Sequence, residues 1–118
     1  MDEYTIIFYR MDNDKCPVKE FLNSLDTKMQ AKVLRMIALL KKHGNDLREP
    51  YSKHLGDGIF ELRTSQGSNI SRVLYFFMID QTIVLTNGFI KKTQKTPQGE
   101  INKAKRYRED YLKRKEHL

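Results

Sequence analysis

The sequence predicts one α+β domain, a small and mainly antiparallel sheet packed by helices in the order β-α-α-β-β-β-α. Three observations carry this. Two amphipathic helical stretches follow one another between Pro17 and His43. Three runs rich in β-branched and aromatic residues then succeed each other between Ile59 and Gly88, separated only by the loop Thr64–Asn69 and the turn Asp80–Gln81. That spacing is the pattern of an antiparallel meander. A last, strongly basic helical stretch follows Pro97. At 118 residues the chain has material for one modest core, with neither an internal repeat nor a linker long enough to divide it.

Taken in order, Tyr4–Tyr9 (YTIIFY) reads as a strand apolar on both faces, and so as an internal one. Arg10–Lys15 is a polar connection. Pro17 suits a first helical turn, where its missing N–H costs nothing, and Val18, Phe21, Leu22 and Leu25 form the apolar stripe behind it. Asp26 is placed to cap a second helix. There Met29, Val33, Met36, Ile37 and Leu40 recur at helical spacing until Gly44 stops it. The methionines read as core fillers. Asn45–Gly58 reads as a crossing loop that carries Pro50, Lys53 and His54, with Asp57 between two glycines as a turn.

In the next strand Ile59, Glu61 and Arg63 alternate with Phe60 and Leu62, giving two unlike faces. Ile70–Ile79 is apolar on both faces, which predicts a central strand covered on both sides. Arg72 is expected near the entrance of that strand, where the covering ends. Thr82–Gly88 forms the last strand and leads to Phe89, Lys91 and Lys92. Thr93–Gln98 reads as a polar loop. The final helix, from about Gln98 through Lys113, presents Ile101, Ala104, Tyr107, Arg108 and Tyr111 on a narrow face.

Composition excludes several classes. No apolar run is long enough to span a membrane, and no charged start followed by an apolar stretch marks a secretory leader. One cysteine, Cys16, makes no internal disulfide, so a reducing cytoplasm is the expected compartment. His43, His54 and His117 show no metal-ligand spacing, and no cofactor motif is present. The net charge of +7 is concentrated: Asn87–Lys115 holds ten lysines and arginines against Glu100, Glu109 and Asp110, and the remainder is balanced. Charge confined in this way suits a face that meets a polyanion.

Two of the cations sit inside apolar strands, where charge is costly unless it meets an acid, an anion or solvent. If the hairpin closes between Arg63 and Arg72, their guanidiniums approach across neighbouring strands. They then repel unless an anion joins them, and their forked geometry fits phosphate oxygens. Glu61 is the alternative partner, as a structural ion pair. Lysines among other cations (Lys91, Lys92, Lys95) and His54 are the acid–base candidates. Phe89 is read either as a base-stacking ring or as core.

The segments KHLGDGIFELR, SRVLYFF and NGFIKKTQKTP together resemble the RelE/HigB superfamily of bacterial toxins, nearest to its phage-derived HigB-like branch. The resemblance covers nearly the whole chain and rests on the spaced set K-x-L-x-x-G-x-x-E-L-R, R-V-L-Y and G-F-x-K-K-x-x-K-x-P. It implies a RelE-like RNase fold and a ribosome-dependent endoribonuclease, an mRNA interferase that cuts translated mRNA without a metal. It also implies partners: the 70S ribosome, mRNA, and a neutralising antitoxin with a helix-turn-helix domain. A monomeric free toxin is expected.

Position by position, Lys53 or His54 matches the basic position before the second strand. Arg63 matches the arginine ending that strand, Arg72 the arginine of the third, and Phe89–Lys92 the aromatic and basic end of the last. Relatives place a histidine or tyrosine near this end as a proton-transfer or stacking group. Phe89 cannot transfer a proton, and Tyr107 and Tyr111 fall on the predicted helix. In such cleavage the 2′-hydroxyl attacks the adjacent phosphorus, which calls for a base, positive charge around the phosphorane and an acid at the departing oxygen. Arg63 and Arg72 fit the electrostatic role, with Lys91, Lys92 or His54 for proton transfer. Lys53, Phe89, Lys95, Lys105 and Arg108 are the expected RNA contacts. The alternative reading is a nonenzymatic nucleic-acid-binding or partner-binding regulator.

Overall fold

The computed structural model describes residues 3–91 and 95–116, the side chain of Glu116 excepted. Along the chain come β1 (Thr5–Phe8), α1 (Pro17–Ser24), α2 (Thr27–His43), a single 3-10 turn (Gly44–Asp46), β2 (Ser52–Gly56), β3 (Ile59–Gln66), β4 (Asn69–Phe77), β5 (Thr82–Lys91) and α3 (Gln98–Glu116). The sheet has the order β1-β5-β4-β3-β2. β1 runs parallel to β5, and every other pairing is antiparallel. The α+β class, the three helices and the central position of β4 match the expectation from sequence.

Two expectations about the sheet need correction. The order is β-α-α-β-β-β-β-α, because Ser52–Gly56, read as part of a crossing loop, is a strand paired with β3 through Ser52–Leu62, Lys53–Glu61 and His54–Phe60. An edge strand needs only one bonded neighbour, so SKHLG requires no apolar alternation to pair. β1, in turn, is an edge strand and not an internal one. Its residues are apolar on both sides because both faces are covered. Tyr4, Ile6 and Phe8 pack into the cluster beneath α1 and α2, while Ile7 and Tyr9 pack into the one beneath α3. Burial of the faces does not report lateral position in the sheet.

The helical pair forms as the pattern requires. Met29 N–H donates to the Asp26 carboxylate at 2.7 Å, the cap that starts α2. Met29, Val33, Ile37 and Leu40 are buried, each removal from water contributing about 1.5–3 kcal/mol. Gly44 ends the helix at φ 50°, and a side chain there would meet the Tyr4 ring at 2.0 Å. Glycine is therefore demanded twice, by conformation and by space. Gly88 likewise lets α1 lie close on β5, since a Cβ would fall 2.4 Å from the Phe21 ring.

The opposite face carries α3. Its hold on the sheet is partly apolar, through Ala104 and the half-buried Tyr107 and Tyr111 over Ile59, Leu74, Phe76 and Val84. It is also polar. Tyr9 donates to Asp110 at 2.6 Å, Arg114 donates to the same carboxylate at 2.7 Å, and the Tyr9 and Tyr107 rings stack at 4.7 Å. Leu74 pairs with Asn87 and Tyr75 with Leu85, leaving Thr86 as an extra residue in β5. That bulge re-aims the end of the strand. The Asn87 amide then reaches the Glu100 carboxylate of α3 at 3.0 Å.

Candidate functional site

The β3–β4 register sets Arg63 directly opposite Arg72, and Lys53 of β2 opposite Glu61. Directly opposed residues share a face, so Lys53, Glu61, Arg63 and Arg72 all lie on the α3 side. Glu61 and Arg72 are both 0% exposed. Arg63 Nε donates to Glu61 Oε1 at 2.6 Å, and Arg72 Nη1 stands 3.8 Å from Glu61 Oε2. Thr96 completes the cluster: its hydroxyl accepts from Arg72 Nη1 at 3.0 Å and donates to Glu61 Oε2. One carboxylate thus sits between two guanidiniums with a hydroxyl bridging them, an arrangement in which each member needs the others. Burial pulls the Arg72 guanidinium below its ordinary value; Glu61 opposes that and Arg63 adds to it.

Arg72 was expected at an open entrance to its strand, and that placement does not hold. Arg72 is fully buried, and the hydroxyl of the buried Thr96 hydrogen-bonds its guanidinium. Arg63 remains 16% exposed and marks the boundary between the sealed cluster and solvent.

Above the cluster lies a groove of about 520 Å³, lined by Lys53, His54, Arg63, Lys95 and Thr96 together with Glu49, Leu55, Gln98 and Ile101. Lys53, Arg63 and Lys95, singled out in the sequence, meet here from three separate segments, whereas His54 borders the groove with its ring turned to Phe60 on the other face of the sheet. His54 stands opposite Phe60, its ring 4.6 Å from the Phe60 ring, and its Nε2 accepts the Gly58 N–H at 3.2 Å. That hydrogen bond occupies Nε2 and leaves Nδ1 as the other polar atom of the ring. Among the described residues no group of three or more histidine, cysteine, aspartate or glutamate side chains could hold a metal ion. No described helix is long and apolar enough to cross a membrane.

A family model described as phage-derived protein Gp49-like (DUF891) matches residues 20–109. The chain belongs to this Gp49-like family. No curated protein matches it. The Gp49-like region runs from within α1 into α3 and contains every wall of the groove and every member of the buried cluster.

The remaining candidates fall elsewhere in the Gp49-like fold. Phe89 is opposite Arg72 in the β4–β5 register and is half-buried against the α3-side core. Lys91 is exposed where β5 ends, and Lys92 lies outside the described residues. Lys105 donates to the Asp57 carboxylate at 2.7 Å and Arg108 to the Asp57 carbonyl, so both fasten α3 to the β2–β3 turn. Lys105 holds the Asp57 carboxyl below the usual range, chiefly by that hydrogen bond.

Sequence reasoning missed Thr96. A threonine in a polar loop carries no periodicity. The available clue was energetic: two arginines sharing one buried carboxylate leave hydrogen-bonding capacity to be satisfied from a third segment.

Proposed function

We propose that this Gp49-like chain is a toxin of the RelE/HigB kind, a ribosome-dependent endoribonuclease that cuts translated mRNA and is neutralised by a cognate antitoxin. The observation supporting it is the groove in which Lys53, Arg63 and Lys95 converge above a buried Glu61–Arg72–Thr96 floor, with His54 at its border. Cations that converge on one concavity suit a phosphodiester, and the motif resemblance selects RNA.

In the reaction the 2′-oxygen bonds to phosphorus as the bond to the 5′-oxygen breaks, leaving a cyclic phosphate and a free 5′-hydroxyl. The 2′-hydroxyl proton goes to a base, and the departing oxygen gains one. Lys53, Arg63 and Lys95 surround the charge that grows on the phosphoryl oxygens. His54 can exchange a proton at Nε2 only after releasing the Gly58 N–H. Arg72 acts by position, through Glu61, holding Arg63 at the groove wall.

The test is mapping of RNA 5′ ends soon after induction in cells with active ribosomes, beside purified protein on naked RNA. New ends confined to translated messages are expected. Intact messages, or intact messages with gyrase-trapped DNA breaks, would remove the proposal. RNA that is bound and left uncut identifies a nonenzymatic binder.

A further inference from the structure

Arg63 forms a wall of a second groove as well. This one, of about 590 Å³, opens beside α2, where Lys32, Arg35 and Met36 face Tyr51, Arg63 and Ile70. Positions 32, 35 and 36 share one helical face. The described walls carry no acidic side chain and two cations, Lys32 and Arg35, besides Arg63, which is already paired with Glu61, around a lining that includes Met36, Pro50, Tyr51 and Ile70. Tyr51 is 50% exposed. Its carbonyl accepts the Arg63 N–H at 2.8 Å, which fixes the root of the ring relative to the residue shared by both grooves.

Lys32 and Arg35 in a groove with no acidic wall call for an anion, and an exposed aromatic beside apolar side chains calls for a flat, apolar-faced group. A nucleotide carries both. We infer that the second groove takes a nucleotide neighbouring the one in the first, with its base stacked on Tyr51 and its phosphate held by Arg35 and Lys32. A single strand crosses from groove to groove over Arg63. The assignment rests on the RNA reading for its chemical class and adds to it a specificity-bearing subsite on the opposite side of Arg63.

The experiment is fluorescence anisotropy at low salt with a labelled single-stranded RNA pentamer and copies carrying one abasic position in turn. One abasic position should weaken wild-type binding about tenfold, the scale of one stacked base. Tyr51→Leu should lose a similar factor on intact RNA and show no further loss on the abasic copy. Tyr51→Phe should bind as wild type. Arg35→Gln, on an exposed helix face, should weaken binding while the abasic penalty stays.

Lys53→Ala should weaken all oligomers equally. If Lys53→Ala loses affinity while Tyr51→Leu and Arg35→Gln bind normally, the second subsite is wrong and the RNA reading stands. If wild type binds no oligomer, the second subsite falls, while the ribosome-dependent reading stands or falls on the mapping of RNA 5′ ends. An acidic peptide whose binding depends on Tyr51, with RNA binding indifferent to it, assigns the groove to a protein partner and overturns the inference.

Discussion

Beneath α1 and α2 the sheet buries Leu62, Val73, Tyr75, Ile83 and Leu85 against Val18, Leu22, Met29, Val33, Ile37 and Leu40. The Ser52 and Tyr75 hydroxyls hydrogen-bond to each other within that layer. Beneath α3 the apolar layer of Ile59, Leu74, Phe76, Val84 and Ala104 gives way, towards the start of β4, to Glu61, Arg72 and Thr96. The same strands build both layers, because β3 and β4 alternate their side chains between them. An apolar layer tolerates substitutions that conserve volume. An ionic layer is all or nothing, since removing one partner strands the rest. The candidate groove sits on the rim of the ionic layer, where Arg63 passes from sealed to solvated.

The largest effect should come from dismantling that layer in part. Glu61→Ala leaves two guanidiniums without their shared carboxylate and should cost about 3–5 kcal/mol in urea unfolding. Replacing Glu61 by Leu together with Arg72 by Met should restore most of that stability and abolish cleavage. A double variant as unstable as Glu61→Ala would mean the cluster contributes packing that apolar residues cannot reproduce.

Next in size, and specific to the rim, is Arg63→Ala. Loss of one transition-state donor is worth roughly 3–4 kcal/mol, or about 10²–10³ in rate, under single-turnover conditions on saturated ribosomal complexes. Arg63→Lys should recover part of it, since lysine brings charge without the fork. Wild-type rate in a variant folded by circular dichroism would make Arg63 purely structural.

The smallest effects are those of pH, and they separate the two sides of the sheet in acid but not in alkali. Tyr75, in the layer beneath α1 and α2, and Tyr9, under α3, are both pushed up to about 12 by burial. The Ser52 hydrogen bond opposes the shift at Tyr75. Asp110 reinforces it at Tyr9, against Arg114. The protonated phenol is the folded form, so this stability is whole below about pH 10 and is lost as pH rises towards 12. Ultraviolet titration should find these two tyrosines ionising late.

Asp110, drawn down by the Tyr9 hydrogen bond and then by Arg114, and Asp57, drawn down by Lys105, both belong to α3 contacts. Their contribution is present above about pH 4 and is lost as pH falls through the lowered values. Pepsin digestion in acid should release α3 before α2. Release in the opposite order would contradict this.

The layer beneath α1 and α2 was legible because a period of two in β3 and β4, and of 3.6 in α1 and α2, each leave a direct trace in the residues. The hairpin does close with Arg63 opposite Arg72, the condition on which the sequence reading of the pair depends, since a short loop fixes register. The sealing of Arg72 was not legible. It depends on a loop more than twenty residues further on, held by one threonine hydroxyl. Nor was β2, whose Lys53 and His54 need no apolar partner at a sheet edge, and whose turn relies on Asp57 and Gly58 at positive φ. Apolar faces suggested a central place for β1, and only the parallel register to β5 locates it.

That register also sets an order of events in folding. Thr5 pairs with Thr82 and Phe8 with Leu85, whereas β2 through β5 join neighbours across short turns. Local hairpins close before distant contacts, whose loop-closure entropy must be met first. On a translating ribosome β1 therefore emerges long before β5, the strand it pairs with, exists. Ile6, Ile7 and Phe8 wait in the meantime without a sheet to join, a stretch exposed to chaperones and to self-association. β1 is thus the last strand to be secured, although it is the first to be made.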